Sequence, residues 1–181
     1  SLKSGKACIK ALKQAGYKVT AFDPKKKPLN LIERKKTDVI FNALHGKDGE
    51  DGVAQSYFEY LRIPYTHSGV ISSYNAMNKI ISKKIFKKNK ILSPKYFEFK
   101  KENYSKIKLN SCIRKKRIKF PIVVKPINEG SSLGVRICKN IQQLHKSTGI
   151  LFRKYIDLVF EPYIGGQEIQ VAVINDISLG A

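Results

Sequence analysis

The sequence predicts an α/β protein whose N-terminal part contains a parallel sheet. The first observation is the order of the predicted elements. Helical spacing and short apolar runs in residues 1–66 predict helix, strand, strand, helix and strand, in that order. The second is the run 38–44, which is apolar and bounded by polar residues, as a strand buried on both faces would be. The third is size, since 181 residues with 42% hydrophobic side chains can bury a sizeable core.

The N-terminal elements follow from these patterns. Residues 1–15 have apolar side chains at near-helical spacing, and Gly16 is typical of a helix end. The remaining predicted elements are strands at 18–22, 38–44 and 63–66, a Gly-rich acidic loop at 45–52 and a helix at 53–61.

The sequence becomes more basic and lysine-rich after residues 70–76. We therefore predict a boundary between two α/β units there. Beyond it we predict a basic amphipathic helix at 76–89, a helix with a loop in 102–119, a Gly/Ser loop at 128–134 and a short helix at 141–147. The predicted strands are 96–99, 120–125, 135–138, 158–161 and 168–174, with a hairpin turn at Asn175-Asp176 and a returning strand at 177–181.

The charge is strongly positive, with 35 Lys+Arg against 14 Asp+Glu and a net charge of +21. Such a value raises nucleic acid or an anionic membrane as a partner. However, 29 of the basic residues are lysine and six are arginine, and they are scattered along the chain. Arginine is the residue of planar base and phosphate recognition. We therefore favour a solvated basic surface without a specific nucleic-acid partner.

The three cysteines, Cys8, Cys112 and Cys138, are odd in number and form no CxxC pair. A disulfide scaffold or zinc site is not expected, and a cytoplasmic location fits better. No apolar run approaches the roughly 18 residues that a membrane span requires, so no membrane association is expected.

The first candidate site is the segment NALHGKDGEDG, residues 42–52. A predicted buried strand ends here and a helix begins, which is where α/β proteins bind ligands. Glycines allow backbone N–H groups to face an anion, and His45 could donate a hydrogen bond to a carboxylate. A tight turn with a surface histidine and capping acids explains the same spacing equally well.

The second candidate site is the strand FPIVVKP followed by NEGSSLG, residues 120–134. Lys125 ends an apolar strand, and burying an ammonium is costly unless an anion partners it. A lysine beside a loop with Ser131 and Ser132 could hold phosphates, although the pattern is not that of a P-loop. We favour this over an edge-strand lysine beside a turn.

The third candidate site lies in VFEPYIGGQE, residues 159–168. Glu161 and Glu168 could bind ribose hydroxyls, and Tyr163 with Ile164 could form an apolar slot for a base. Taken alone, this segment reads better as a β-turn with solvated acids.

Taken together, these segments resemble the D-alanine–D-alanine ligases of the ATP-grasp superfamily. The resemblance is carried by SLKSGKA, NALHGKDGEDG, IPYTHSGV, VVKPINEGSSLGV and EPYIGGQEIQVAV, in this order and with comparable spacing. It implies an N-terminal pre-ATP-grasp α/β domain at 1–75, a central ATP-grasp domain at 76–164 and the start of the C-terminal ATP-grasp domain at 165–181.

The resemblance also implies a reaction. ATP would phosphorylate one D-alanine, and the amine of a second would attack the acyl phosphate, giving D-alanyl-D-alanine for peptidoglycan, with Mg²⁺ or Mn²⁺ bridging the phosphates. The resemblance also implies a homodimer, because the family is commonly dimeric through its N-terminal domain. By position, the implied catalytic residues are His45 and Ser131. The implied nucleotide-binding residues are Lys79, Lys125, Glu129, Ser131, Ser132, Glu161, Tyr163, Ile164 and Glu168.

The chain departs from the family pattern at three residues. Asn78 replaces the usual Asp before Lys79, His67 stands where Gly is common, and Asp48 replaces a usual small residue. The family's first strand and glycine loop would precede Ser1, and its metal ligands would follow Ala181. We therefore expect a fragment without metal ligands that is inactive by itself.

Three alternatives remain open at this stage. The chain could belong to a D-alanine–D-lactate or D-alanine–D-serine ligase, because the segment that selects the second substrate is mostly absent. It could be a basic nucleic-acid-binding domain, which predicts salt-sensitive affinity. It could also be a non-catalytic relic of a broken gene.

Overall fold

The computed structural model describes residues 2–180, and the predicted α/β class is confirmed. The helices are α1 Leu2–Gln14, α2 Val53–Tyr60, α3 Val70–Met77, α4 Lys79–Lys88, α5 Lys106–Lys116 and α6 Ile141–Leu151. The strands are β1 Phe97–Lys100, β2 Ile122–Pro126, β3 Arg136–Cys138, β4 Asp157–Pro162, β5 Val173–Ile174 and β6 Ile177–Ser178. None of the helices within residues 2–180 is long and apolar enough to cross a membrane.

Four strands form one antiparallel sheet in the order β1-β4-β2-β3. Side chains alternate between the two faces of each strand, so residues two apart share a face. The register pairs Val123 with Glu161 and Lys125 with Val159. Lys125 and Glu161 are therefore diagonal neighbours on one face of the sheet.

The opposite face of the sheet carries the main core. Ile122, Val124, Leu158 and Phe160 are fully buried there, and α5 and α6 cover them with Leu109 and Leu144. Phe97 stacks on Phe160, with ring centroids 5.0 Å apart and planes at 6°. The apolar strands predicted at 120–125 and 158–161 are confirmed, and each is buried on both faces.

The face that carries Lys125 and Glu161 is covered by α4. Ile80 of this helix packs with Ile127 and Val159 in a smaller apolar cluster. The buried positions of α4 are Ile80 and Lys83, one turn of helix apart. This arrangement places a lysine-bearing helix directly over the charged side chains of the sheet.

The N-terminal part contains less regular structure than predicted. The segments 18–22, 38–44 and 63–66 form no extended strands, and a single parallel bridge joins Ile40 to Tyr65. The run 38–44 is not buried on both faces, since Val39 is 57% and Phe41 45% exposed. The parallel direction agrees with the prediction, but a ladder needs neighbouring strands that residues 2–180 do not supply here.

The helix predicted at 76–89 is α4, but it begins at Lys79, because residues 76–77 end α3 and Asn78 separates the two helices. This residue has an extended backbone, and its side-chain oxygen accepts hydrogen bonds from the Ile80 and Ile81 N–H groups, each at 3.0 Å. Asparagine competes with helical hydrogen bonding in this way and favours the N-cap position. Asn78 therefore orients the first turn of α4, which carries Lys79.

We expect Asn78→Ala to lower the free energy of unfolding by about 1 kcal/mol, because it removes the side-chain cap of α4. Urea-induced unfolding measures the loss. Asn78→Asp keeps an oxygen at the same position and should stay within a few tenths of a kcal/mol of the original protein. An alanine variant as stable as the aspartate variant would contradict the capping role.

Near the C-terminus, the predicted turn at Asn175-Asp176 is confirmed, with Val173 opposite Ser178 across it. Both turn residues have positive φ, 47° and 63°, as a tight hairpin turn requires. The strands β5 and β6 are shorter than predicted, whereas α6 runs to Leu151 rather than ending at 147. Ser1 and Ala181, which begin the first predicted helix and end the last predicted strand, lie outside the described residues.

Candidate functional site

The charged face of the sheet centres on one buried carboxylate. Glu161 on β4 is 7% exposed. Its Oε1 accepts a hydrogen bond from the Lys125 ammonium of β2, and its Oε2 lies 2.8 Å from the Lys83 Nζ of α4. The Lys83 contact is an ion pair without hydrogen-bond alignment, so Oε2 is a buried acceptor with no aligned donor. We call Lys83, Lys125 and Glu161 the lysine–glutamate cluster.

The two lysines decide the ionisation of this carboxylate. Burial by itself would raise the pKa of Glu161, but the Lys125 hydrogen bond and the positive charges of Lys125 and Lys83 outweigh burial and hold its pKa below the ordinary value. Glu161 is therefore ionised at neutral pH, and the cluster as a whole carries one excess positive charge.

A third lysine lies beside the cluster, at the first residue of α4. The Lys79 ammonium donates to the backbone oxygens of Ile127, at 3.4 Å, and Glu129. Burial lowers the pKa of Lys79, and the nearby Lys125 charge lowers it further. The two cations repel each other, so an anion placed between them would be stabilised.

The Gly/Ser loop at 128–134 continues from the same end of β2. Ser131 and Ser132 adopt the left-handed conformation, with φ of 48° and 57°, and both are exposed. Gly134, with φ of 73°, lies so close to Pro126 that an added methyl group would approach the ring to 2.8 Å. Close packing at Gly134 thus fixes the loop onto the strand that carries Lys125.

The loop at 45–52 borders a separate cleft of about 490 Å³. His45 is exposed and lines this cleft together with His67, whose Nε2 is 2.7 Å from the Asn42 carbonyl oxygen. Gln55, which is 2% exposed, also lines it and donates to the Gly49 carbonyl at 3.0 Å. The acids of the loop have the capping roles that the sequence left open, since Asp51 accepts from the backbone of Asp48 and Val53.

The two glycine-rich loops meet. Glu50 accepts a hydrogen bond of 2.6 Å from the Gly46 N–H, and an added methyl group at Gly130 would lie 3.5 Å from the same carboxylate oxygen. The first and second candidate sites are therefore neighbours, so one ligand could extend from the His45 cleft towards the lysines.

Only one residue of the third candidate site lies in the lysine–glutamate cluster. Glu161 is in the cluster, but Tyr163 is 45% and Ile164 66% exposed, and Glu168 is also exposed. Within residues 2–180 no hydrogen bond or ion pair joins Glu168 to the cluster. An apolar slot at Tyr163 and Ile164 stays a prediction.

Sequence reasoning missed Lys83. The available signal was its spacing, because Lys83 follows Lys79 by four residues and so shares a face of α4 with it. Five lysines between 79 and 88 obscured that signal.

The described residues do not supply a metal site. Within residues 2–180 there is no group of three or more His, Cys, Asp or Glu side chains placed to hold a metal ion. Residues 2–180 therefore do not by themselves fit Mg²⁺ or Mn²⁺.

Comparison with known proteins gives the same family for both parts of the chain. The family model described as D-ala D-ala ligase N-terminus matches residues 22–68, and that described as D-ala D-ala ligase C-terminus matches residues 85–180. A D-alanine--D-alanine ligase of Pelagibacter ubique (strain HTCC1062) is 53% identical over 182 residues, covering 100% of this chain and 58% of the relative. The chain thus spans somewhat more than half the length of the curated relatives it matches.

Two solved structures are similar in fold. One is a D-alanine--D-alanine ligase from Bacillus anthracis complexed with ATP, with a TM-score of 0.62 and 35% identity, covering 75% of this chain and 46% of that one. Another is the VanG D-Ala:D-Ser ligase from Enterococcus faecalis, with a TM-score of 0.64 and 31% identity, covering 71% and 37%.

The antiparallel sheet, its covering helices and these matches define an ATP-grasp fold. More particularly, the chain belongs to the D-alanine–D-alanine ligase family.

Proposed function

We propose that the protein containing this chain joins two D-alanines with ATP, through an acyl phosphate, to give D-alanyl-D-alanine for the cell wall. The observation that carries this proposal is the pair of cations, Lys79 and Lys125, placed beside a Gly/Ser loop and a buried carboxylate on one sheet face. Family membership and the ATP complex of a similar ligase support it.

The residues fit a nucleotide in chemical terms. Lys79 and Lys125 would neutralise phosphate charge, and the loop with Ser131 and Ser132 would cover the phosphates together with Glu129. The Glu161 Oε2 atom contacts the Lys83 ammonium at 2.8 Å, and a carboxylate oxygen can accept a second hydrogen bond, so it could also accept from the amino group of adenine. Tyr163 and Ile164 would contact the base, and Glu168 the ribose.

The neighbouring cleft fits the amino-acid substrate. His45 would donate to the carboxylate of the first D-alanine, and Ser131 would help to close the site. Because the Gly46 and Gly130 loops adjoin, that carboxylate and the transferred phosphate could be held together. Holding the reactants in place, with neutralised charge, supplies most of the rate enhancement in phosphoryl transfer.

The remaining parts of the proposal concern organisation. We propose boundaries at 1–75, 76–164 and 165–181, a homodimer, a cytoplasmic location, and a requirement for Mg²⁺ or Mn²⁺. These follow from family membership and are tested by limited proteolysis, light scattering, fractionation and metal dependence of turnover.

The direct test measures ADP release, in the presence of magnesium, by the whole protein that contains this chain. The product is identified by its mass. We expect D-alanine alone to support release and to yield the dipeptide. Release that needs D-serine or D-lactate as well would assign the alternative ligase specificity, for which the similarity to the VanG D-Ala:D-Ser ligase is the specific observation. No release with any D-amino acid, together with tight salt-sensitive RNA binding, would contradict the proposal.

A further inference from the structure

Lys83 is the most enclosed cation of the described chain, and the proposed nucleotide contacts do not include it. It is 9% exposed, whereas Lys84, the next residue of α4, is exposed. A buried ammonium is costly unless anions and hydrogen-bond acceptors surround it. The burial of Lys83 therefore requires an explanation.

Those surroundings leave Lys83 no room to bind a ligand itself. Three oxygens lie around its ammonium: Glu161 Oε2 at 2.8 Å, Ser93 Oγ at 3.0 Å and the Pro94 carbonyl at 3.3 Å. The Tyr96 ring lies on a further side, with its centroid 5.3 Å from Nζ. Two hydrogen bonds, one ion pair and the ring therefore enclose the ammonium, and protein groups occupy the positions from which a ligand would approach it.

Lys125 differs from Lys83 in this respect. It is more exposed, with 21% of its side chain accessible against 9%, and Glu161 is its one recorded side-chain partner in residues 2–180. If Lys125 turned towards a phosphate, a carboxylate with no second cation would be left buried and unpaired, which is strongly unfavourable. Lys83 removes that penalty, because it stays paired with Glu161.

We propose that Lys83 is a positioning residue for the nucleotide: it holds the Glu161 carboxylate ionised and in place, so that Lys125 is free to contact a phosphate. This inference rests on the proposed function, since it presumes that a nucleotide binds at the cluster. It assigns the two lysines different roles: Lys125 contacts the ligand, and Lys83 holds a side chain of the protein.

The test is calorimetric titration of ADP into the protein and its variants at pH 7.5. We expect Lys83→Met to weaken ADP binding about ten-fold or more, because a charge-assisted contact that orients Glu161 is lost. Lys84→Met, on the same helix but exposed, should bind like the original protein. A Lys83→Met protein that binds ADP normally would overturn the inference.

A double-variant cycle separates positioning from general damage. If Lys83 acts through Glu161, adding Lys83→Met to Glu161→Gln should change ADP affinity by less than about three-fold, because no buried carboxylate remains to be held. The double variant contains neither buried charge, and in Glu161→Gln the Lys83 ammonium keeps its hydrogen bonds to Ser93 and Pro94. Urea unfolding of these two proteins shows that both are folded, and the comparison then stands even if Lys83→Met unfolds. A further ten-fold loss in the double variant would overturn the inference.

The pH dependence gives a readout that a purely structural role would not move. The original protein keeps the pKa of Glu161 low, so its ADP affinity should not fall through Glu161 protonation between pH 8 and 5.5. Loss of the Lys83 charge lets burial raise the pKa of Glu161, and affinity in Lys83→Met should fall as the pH is lowered across that range. If the original protein binds no ADP, the proposed function fails first, and that outcome is distinct from normal binding by the variant.

Discussion

Replacing Lys125 with alanine should reduce ATP-dependent turnover by about a hundred-fold or more, because the substitution removes preorganised charge stabilisation at the transferred phosphate. The structure gives a reason to expect a folded variant. Glu161 keeps its ion pair of 2.8 Å with Lys83, so no buried carboxylate is left without a cation. ADP release under saturating D-alanine measures the effect, and urea unfolding shows whether the fold persists.

The matched control is Lys100→Ala. Lys100 is an exposed lysine on β1 of the same sheet and lies opposite Asp157. Its removal lowers the net charge equally and should leave turnover within about two-fold, since surface substitutions away from a site have small effects. Similar losses in both variants would indicate that net charge matters rather than position, and would contradict a specific role for Lys125.

Replacing Phe160 with alanine should lower the free energy of unfolding by about 3–5 kcal/mol, the usual range for a buried phenylalanine. Phe160 is 0% exposed and stacks on Phe97. It also makes an edge contact with Phe99, with ring centroids 6.0 Å apart. The sheet is covered by helices on this face, so the cavity cannot fill by a small local movement. The midpoint and slope of urea unfolding give the loss directly.

Phe86 provides the comparison. It lies on α4 and is 39% exposed, so Phe86→Ala should cost about 1 kcal/mol or less. A Phe160→Ala loss no larger than that of Phe86→Ala would mean that the main core does not depend on the stacked rings of β1 and β4.

The central sheet was predictable because its strands have local signatures. Lys125 stood out in the sequence as a cation at the end of an apolar run, and the structure supplies the expected anion, Glu161. The same holds for the Asn175-Asp176 turn, where residue types that tolerate positive φ sit between two apolar segments. These features depend on a few adjacent residues.

The rest depends on residues far apart in the chain. In the sequence, Lys83 cannot be told apart from the exposed lysines of the same helix. It is buried because Glu161 and Pro94, which are distant in the sequence, pack against it in the folded chain. The segments around Ile40 and Tyr65 have strand-like composition, but a strand forms only where partners complete its hydrogen bonds. Local sequence patterns therefore predicted the α/β class and the lysine of β2, but not the sharing of one carboxylate by two lysines.

The strand order has a consequence for synthesis on the ribosome. The strand β4 is the last of its sheet to be made, yet it lies between β1 and β2. Until Pro162 has emerged, β1 lacks its only strand partner in the described chain, and Phe97 and Phe99 have no Phe160 to cover them. A nascent chain paused before that point presents two open strand edges and unburied aromatic rings, the features that lead to association between chains. The central sheet can therefore be completed during translation only after Pro162 has emerged, although β2 and β3 can pair before then.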